Sequence, residues 1–179
     1  MEIVKTNPFA FSFESIPTIL RFFPNINTLR VALSTQLSDV ETLPETITAI
    51  VVGQWRFGQM TERTRTFARL VTDITDVLYG NSATLDLSLF PSLQRLRIFH
   101  VPKEVSPPDH RVRRVKVCTR QPAGVLFGDW YERLDIVVDS EKQFKALREQ
   151  PRPHNVHVFC SAAGQGVDPS ELMYERGRT

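Results

Sequence analysis

Cysteine is scarce: Cys118 and Cys160 are the two thiols in 179 residues. Small secreted domains are usually stapled by four or more, so no disulfide framework is expected. A reducing compartment, cytoplasmic or nuclear, is the sequence-based expectation. Long apolar runs are missing as well. No window nears the roughly 18 unbroken apolar residues of a membrane span. The opening MEIVKTNPFAFSFES lacks the basic start and apolar run of a secretory signal. Neither charge sign dominates: 22 basic and 20 acidic residues leave a net charge of +2. That is too little to imply nucleic acid by itself, and a nucleic-acid partner is disfavoured. Catalytic signatures are also missing. The chain has no GxSxG, no HExxH, no P-loop glycine run and no CxxC. Gly164-Gln165-Gly166 lies near the end without the context of a phosphate loop. The expectation is therefore a chain that is not an enzyme and takes no cofactor.

What is present is ordinary globular material, 41% hydrophobic and 23% charged. A chain of this length can bury a core without metals or crosslinks. Its organising stretch is 89–99, LFPSLQRLRIF, where Leu93, Leu96 and Ile98 follow the spacing apolar-x-x-apolar-x-apolar. The same spacing recurs at Ile26, Leu29 and Val31, and at Ile47, Ile50 and Val52. It returns at Val112, Val115 and Val117, then at Tyr131, Leu134 and Ile136. HNVHVFCS repeats its second half with Val156 and Val158. The alternation within each unit suits a half-buried strand. The middle residues Leu29, Ile50, Leu96, Val115, Leu134 and Val156 are separated by 21, 46, 19, 19 and 22 positions.

Between these strands the sequence predicts helices and loops. Ser15 caps a short helix with Pro17 in its first turn, and Ile16, Ile19, Leu20 and Phe23 form one face. Residues 61–79 carry a longer stripe, Phe67, Leu70, Val71, Ile74 and Leu78, with Gly80-Asn81 as a left-handed stop. A competing reading makes Ile74, Val77 and Tyr79 another strand; the helix is preferred because the stripe is long. A third helix follows Asp139-Ser140, turns Phe144 and Leu147 inward, and ends at Pro151. Residues 53–60, 101–108 and 121–129 read as loops, and 162–179 as a loosely held tail after a single repeat-type domain over 1–161.

A period of about 20 to 25 residues with one strand each is the signature of leucine-rich repeats. A lone strand and helix cannot bury their apolar faces, so such units stack and share a core. FPNINTLRV at 23–31 and FPSLQRLRI at 90–98 share Phe-Pro, the apolar spacing and Leu-Arg. With LDLSLFPSLQRLRI at 85–98, these phrases resemble the leucine-rich-repeat region of fungal F-box proteins, over residues 16–161. The resemblance implies an irregular α/β solenoid with a curved parallel sheet of five or six strands. It implies a module for protein–protein interaction. It does not extend to a ubiquitin-ligase adaptor, because no room exists before Ile16 for the F-box segment. The repeat's turn asparagine is absent as well; its places hold Ser34, Trp55, Val101, Arg120, Asp139 and Ser161.

Candidate sites follow from register. His154, His157 and Cys160 are a metal-like cluster, but their step of three converges on a helix and not on a strand, so no metal site is expected. Cys118 lies near Arg114 and Lys116, yet a lone strand cysteine is ordinarily a packed residue. Trp55, Phe57, Trp130 and Tyr131 could anchor a partner or close the core. The charged segment 95–120 carries more. If the apolar residues face inward, Arg95, Arg97 and Phe99 line up on the open face beside Arg114, Lys116 and Cys118. These in turn flank Arg133, Asp135 and Val137. The ribbon fits an acidic or phosphorylated protein segment. Local carboxylates such as Asp109 or Glu132 could instead fold over and neutralise it. The alternatives are a truncated or decayed repeat protein without its own activity, or an enzyme whose reaction no motif specifies.

Overall fold

A computed structural model describes residues 25–40, 42–57, 61–78, 84–119 and 126–161. The expected helix at 16–23, the Gly80-Asn81 stop and the tail at 162–179 lie outside these residues. In chain order the first elements are β1 (Thr28–Leu33), a 3-10 turn (Ser34–Asp39), β2 (Ala49–Arg56) and α1 (Glu62–Ala68). Then come β3 (Val71–Ile74), β4 (Val77–Leu78), β5 (Thr84–Asp86), β6 (Arg95–Ile98) and β7 (Glu104–Ser106). The chain continues with β8 (Arg114–Cys118), β9 (Leu134–Val138), α2 (Glu141–Glu149) and β10 (Val156–Cys160).

The fold is mixed α/β with a mostly parallel sheet. The main sheet runs β1-β2-β3-β6-β8-β9-β10, so spatial order follows chain order, and β4 pairs with the end of β2. A second, two-stranded sheet joins β5 to β7. Parallel neighbours need a crossover; the 3-10 turn supplies it between β1 and β2, α1 between β2 and β3, and α2 between β9 and β10. Each strand sends alternate residues inward: Leu29 and Val31, Ile50 and Val52, Leu96 and Ile98, Val115 and Val117 are all buried. They join one apolar cluster that reaches from Ile26 to Val156. The phrase at 90–98 works as its spacing suggests, with Phe90, Leu93, Leu96 and Ile98 at 2% exposure or less.

The helix expected over 61–79 is corrected. Among the described residues, α1 is the helix that forms there. Thr61 caps it, its Oγ1 accepting the Thr64 N–H at 3.2 Å. The Leu70 N–H closes it on the Phe67 carbonyl at 2.9 Å. Beyond that point the chain becomes β3 and β4. Val71, Thr72, Ile74 and Thr75 are β-branched, which lowers helix propensity and suits a pleated surface. Pairing with β2 on one side and β6 on the other buries Val71 and Ile74 completely. The competing strand reading was right for Ile74 and Val77; Tyr79 lies outside the described residues. β3 thereby fills the 46-residue gap between Ile50 and Leu96: Ile50 pairs with Val71, and Val52 with Ile74, which pairs in turn with Leu96.

Three further corrections concern strands. Residues 53–56 are strand, not loop, because β2 continues through Gly53 and Trp55 to Arg56. Residues 104–106, read as loop, form β7. The sheet has eight strands where five or six were expected. The six middle residues are all buried but do not form one layer. Leu96, Val115, Leu134 and Val156 share a row with Ile74, Val52 and Val31. Leu29 and Ile50 pair with each other and with Val71, because the register shifts between Ile50 and Val51. A bulge there adds one residue to β3 between its inward positions.

Candidate binding face

The strand alternation that buries the apolar residues sends their neighbours to the opposite face. Both helices lie on the core side: α1 buries Phe67 and Ala68 in the cluster, and α2 rests Phe144 and Leu147 on it. On the open face the register builds rows across the strands. The first row is Arg30, Val51, Asp73, Arg95 and Arg114, with Arg133 one residue before Leu134 on the next strand. The second includes Arg97, Lys116, Asp135 and His157. The third includes Cys118, Val137 and Phe159, with Phe99 just past the end of β6.

The sequence-derived set Arg95, Arg97, Phe99, Arg114, Lys116, Arg133 and Asp135 is thus gathered on one face in the expected order. Arg95 stands opposite Arg114, and Arg97 opposite Lys116. The Arg97 guanidinium lies 4.5 Å from the Phe99 ring centroid, a cation–π contact. Asp135 departs from expectation. Register sets it on the open face, yet its side chain is 1% exposed. Its Oδ2 accepts the Arg114 Nε–H at 2.7 Å and its Oδ1 accepts the Arg133 Nε–H at 2.7 Å. The two arginines remain 33% and 47% exposed. Two guanidinium groups thus satisfy both oxygens of the buried carboxylate.

Asp73 was missed. Its Oδ1 lies 2.5 Å from the Arg95 Nε, and its Oδ2 accepts from the Thr72 hydroxyl at 2.8 Å. The signal was available: Asp73 precedes Ile74 as Arg95 precedes Leu96, 22 positions later. Assigning 61–79 to a helix hid it. Partial neutralisation of the ribbon therefore comes from Asp73 and Asp135 within the sheet. Asp73 pairs with Arg95, and Asp135 with Arg114 and Arg133.

The aromatic candidates close the core. Trp55 and Tyr131 are fully buried and Phe57 nearly so. Trp55 meets Phe90 edge-on at 4.7 Å, and Phe57 meets it at 5.8 Å. Trp130 is half-buried against Tyr131. In β10, Cys160 points into the core while His157 is exposed. Among the described residues, no three or more His, Cys, Asp or Glu side chains are grouped to hold a metal ion. No described helix is long and apolar enough to cross a membrane.

The missing turn asparagines are partly replaced by hydroxyls. Ser34 is buried and its Oγ accepts the Arg56 N–H of the next strand at 3.0 Å. Ser161 donates its hydroxyl to the Val138 carbonyl of the preceding strand at 3.3 Å. Comparison with family models, curated proteins and solved structures returned no match.

Proposed function

We propose that the chain is a protein-recognition module. In this reading it is a leucine-rich-repeat-like solenoid, as in the F-box-type repeat regions it resembles. Its basic sheet face receives an acidic or phosphorylated segment of a partner protein. The observation that carries the reading is the cross-strand register of the cations. Arg95 opposite Arg114 and Arg97 opposite Lys116 place like charges side by side. Such pairs destabilise a sheet, so stability alone does not favour them. A partner that brings negative charge turns that repulsion into attraction, and guanidinium groups fork onto carboxylate or phosphate. The first two strands offer Thr28, Arg30, Ala32, Ala49, Val51 and Gly53 on this face, mostly small and with one cation, so binding centres on β6, β8 and β9.

The test is a double substitution, Arg97→Glu with Lys116→Glu. These two are preferred to Arg114, whose Nε holds the buried Asp135. Binding of a fluorescein-labelled oligoglutamate peptide, read by anisotropy, should be lost while the melting temperature holds. Unchanged binding in a folded variant defeats the proposal.

A further inference from the structure

We infer that Asp135 is a positioning residue for ligand, and that Arg114-Asp135-Arg133 form a preset receptor for a carboxylate of an acidic protein segment. The inference rests on the binding role proposed above and deepens it. Asp135 is the one acidic side chain among the buried polar groups of the described residues. Both of its oxygens are engaged, and both engage the same kind of atom, an arginine Nε at 2.7 Å. Contact through Nε fixes the guanidinium plane by its side edge. The Arg133 side chain is 47% exposed, so its guanidinium remains within reach of a ligand from solvent.

The two arginines reach Asp135 from different strands, Arg114 from β8 and Arg133 from the residue before β9. A single bound carboxylate thus organises two cations whose own preference is to separate. Lys116 stands directly opposite Asp135 and adds positive charge beside the pair. An incoming carboxylate meets guanidinium groups already oriented, so less side-chain freedom is lost on binding. Asp73 holds Arg95 in the same manner, also through Nε, but is less deeply buried at 13% exposure. Charge complementarity selects the occupant: the face around this pair is cationic, and planar forked donors match a carboxylate.

The sign of one substitution separates this device from plain attraction. Asp135→Asn removes a negative charge from a cationic face. If net charge alone governs binding, an acidic ligand binds the variant more tightly. If Asp135 positions the arginines, binding weakens although the face has become more positive. The experiment measures oligoglutamate binding by anisotropy for the wild type and Asp135→Asn, with circular dichroism and melting as folding controls. Binding roughly tenfold weaker is expected. Equal or tighter binding overturns the inference but leaves the basic-face proposal standing, provided Arg97→Glu with Lys116→Glu still abolishes it. Should Asp135→Asn fail to fold, Arg133→Lys takes its place, keeping the charge and the carboxylate but not the fork. It should bind several-fold more weakly, and wild-type affinity overturns the inference. Failure of the wild type to bind oligoglutamate, or its displacement only by a single-stranded oligonucleotide, overturns both readings.

Discussion

Leu96 shows how much one side chain can carry here. It is 2% exposed and sits in the middle of the inward row between Ile74 and Val115. Leu96→Ala should cost about 2–5 kcal/mol in urea unfolding, the range for truncated core leucines that leave a cavity. Gly53 is constrained for a different reason. A Cβ there would come within 2.7 Å of the Ala32 carbonyl oxygen, which is backbone and cannot swing aside. Gly53→Ala should therefore destabilise by about 1–3 kcal/mol through a forced shift of β1 against β2. A loss well under that would mean the strands separate easily at this point. Tyr131 supplies a pH dependence. Burial, chiefly, pushes its phenol above the usual value of 10.0; the Asp129 charge adds to the shift and the Gly128 N–H opposes it. The folded state then retains the proton after the unfolded chain has lost it. Its stability contribution is intact below pH 10 and is lost as the pH rises through the folded value. Melting temperature should fall more gently above pH 10 in Tyr131→Phe than in the wild type.

The elements were legible wherever spacing and pairing agreed. FPSLQRLRI became β6 with its turn, RRVKVC became β8, and LDIVV became β9, each with the predicted residues inward. The segment 61–79 was not, because Phe67, Leu70, Val71, Ile74 and Leu78 satisfy a helical stripe while Val71 and Ile74 also fit a strand carrying a bulge. Local period cannot choose between these. The choice is made by neighbours: β2 and β6 each present an edge that needs a partner, and β3 fills the gap. The same error concealed Asp73, and with it half of the charge balance on the face. Asp135 was correctly placed on that face, but its burial depends on Arg114 and Arg133 closing over it, which no spacing encodes. Amide hydrogen exchange tests the strand assignment. The Thr75 N–H donates to the Val52 carbonyl at 3.0 Å, and the Gln94 N–H to the Thr72 carbonyl at 2.8 Å. Both amides should exchange only with deep opening of the sheet, while those of the short helix α1 exchange sooner. Rapid exchange at Thr75 would return 71–78 to the helical reading.

At the scale of the molecule, the question is whether seven strands in chain order melt together or one after another. In the main sheet each strand pairs with its neighbours in chain order, so one weak interface can split the unfolding. The weakest joint should be the shifted register between β2 and β3, at Ile50 and Val51. Two observations argue that it holds. The apolar cluster passes through it without a break, from Ile26 to Val156. Phe90, on the turn leading into β6, meets Trp55 of β2 edge-on at 4.7 Å and Phe57 at 5.8 Å. Aromatic pairs of this kind add about 0.5–1.5 kcal/mol beyond their burial, and they tie the end of β2 to the turn before β6. The chain provides its own reporters, since Trp55 and Trp130 are its two tryptophans and lie on either side of the joint. Urea unfolding of Trp55→Phe follows Trp130 in the later half; Trp130→Phe follows Trp55 in the earlier half. Each substitution shifts its own midpoint, so circular dichroism of the same sample is the reference. In both variants the fluorescence and dichroism transitions should coincide, as for a single cooperative unit. Removing the bridge with Phe90→Ala should then pull the Trp55 signal ahead of the dichroism. Separate transitions before that substitution would mean that the earlier strands are held independently of the half that carries the basic face.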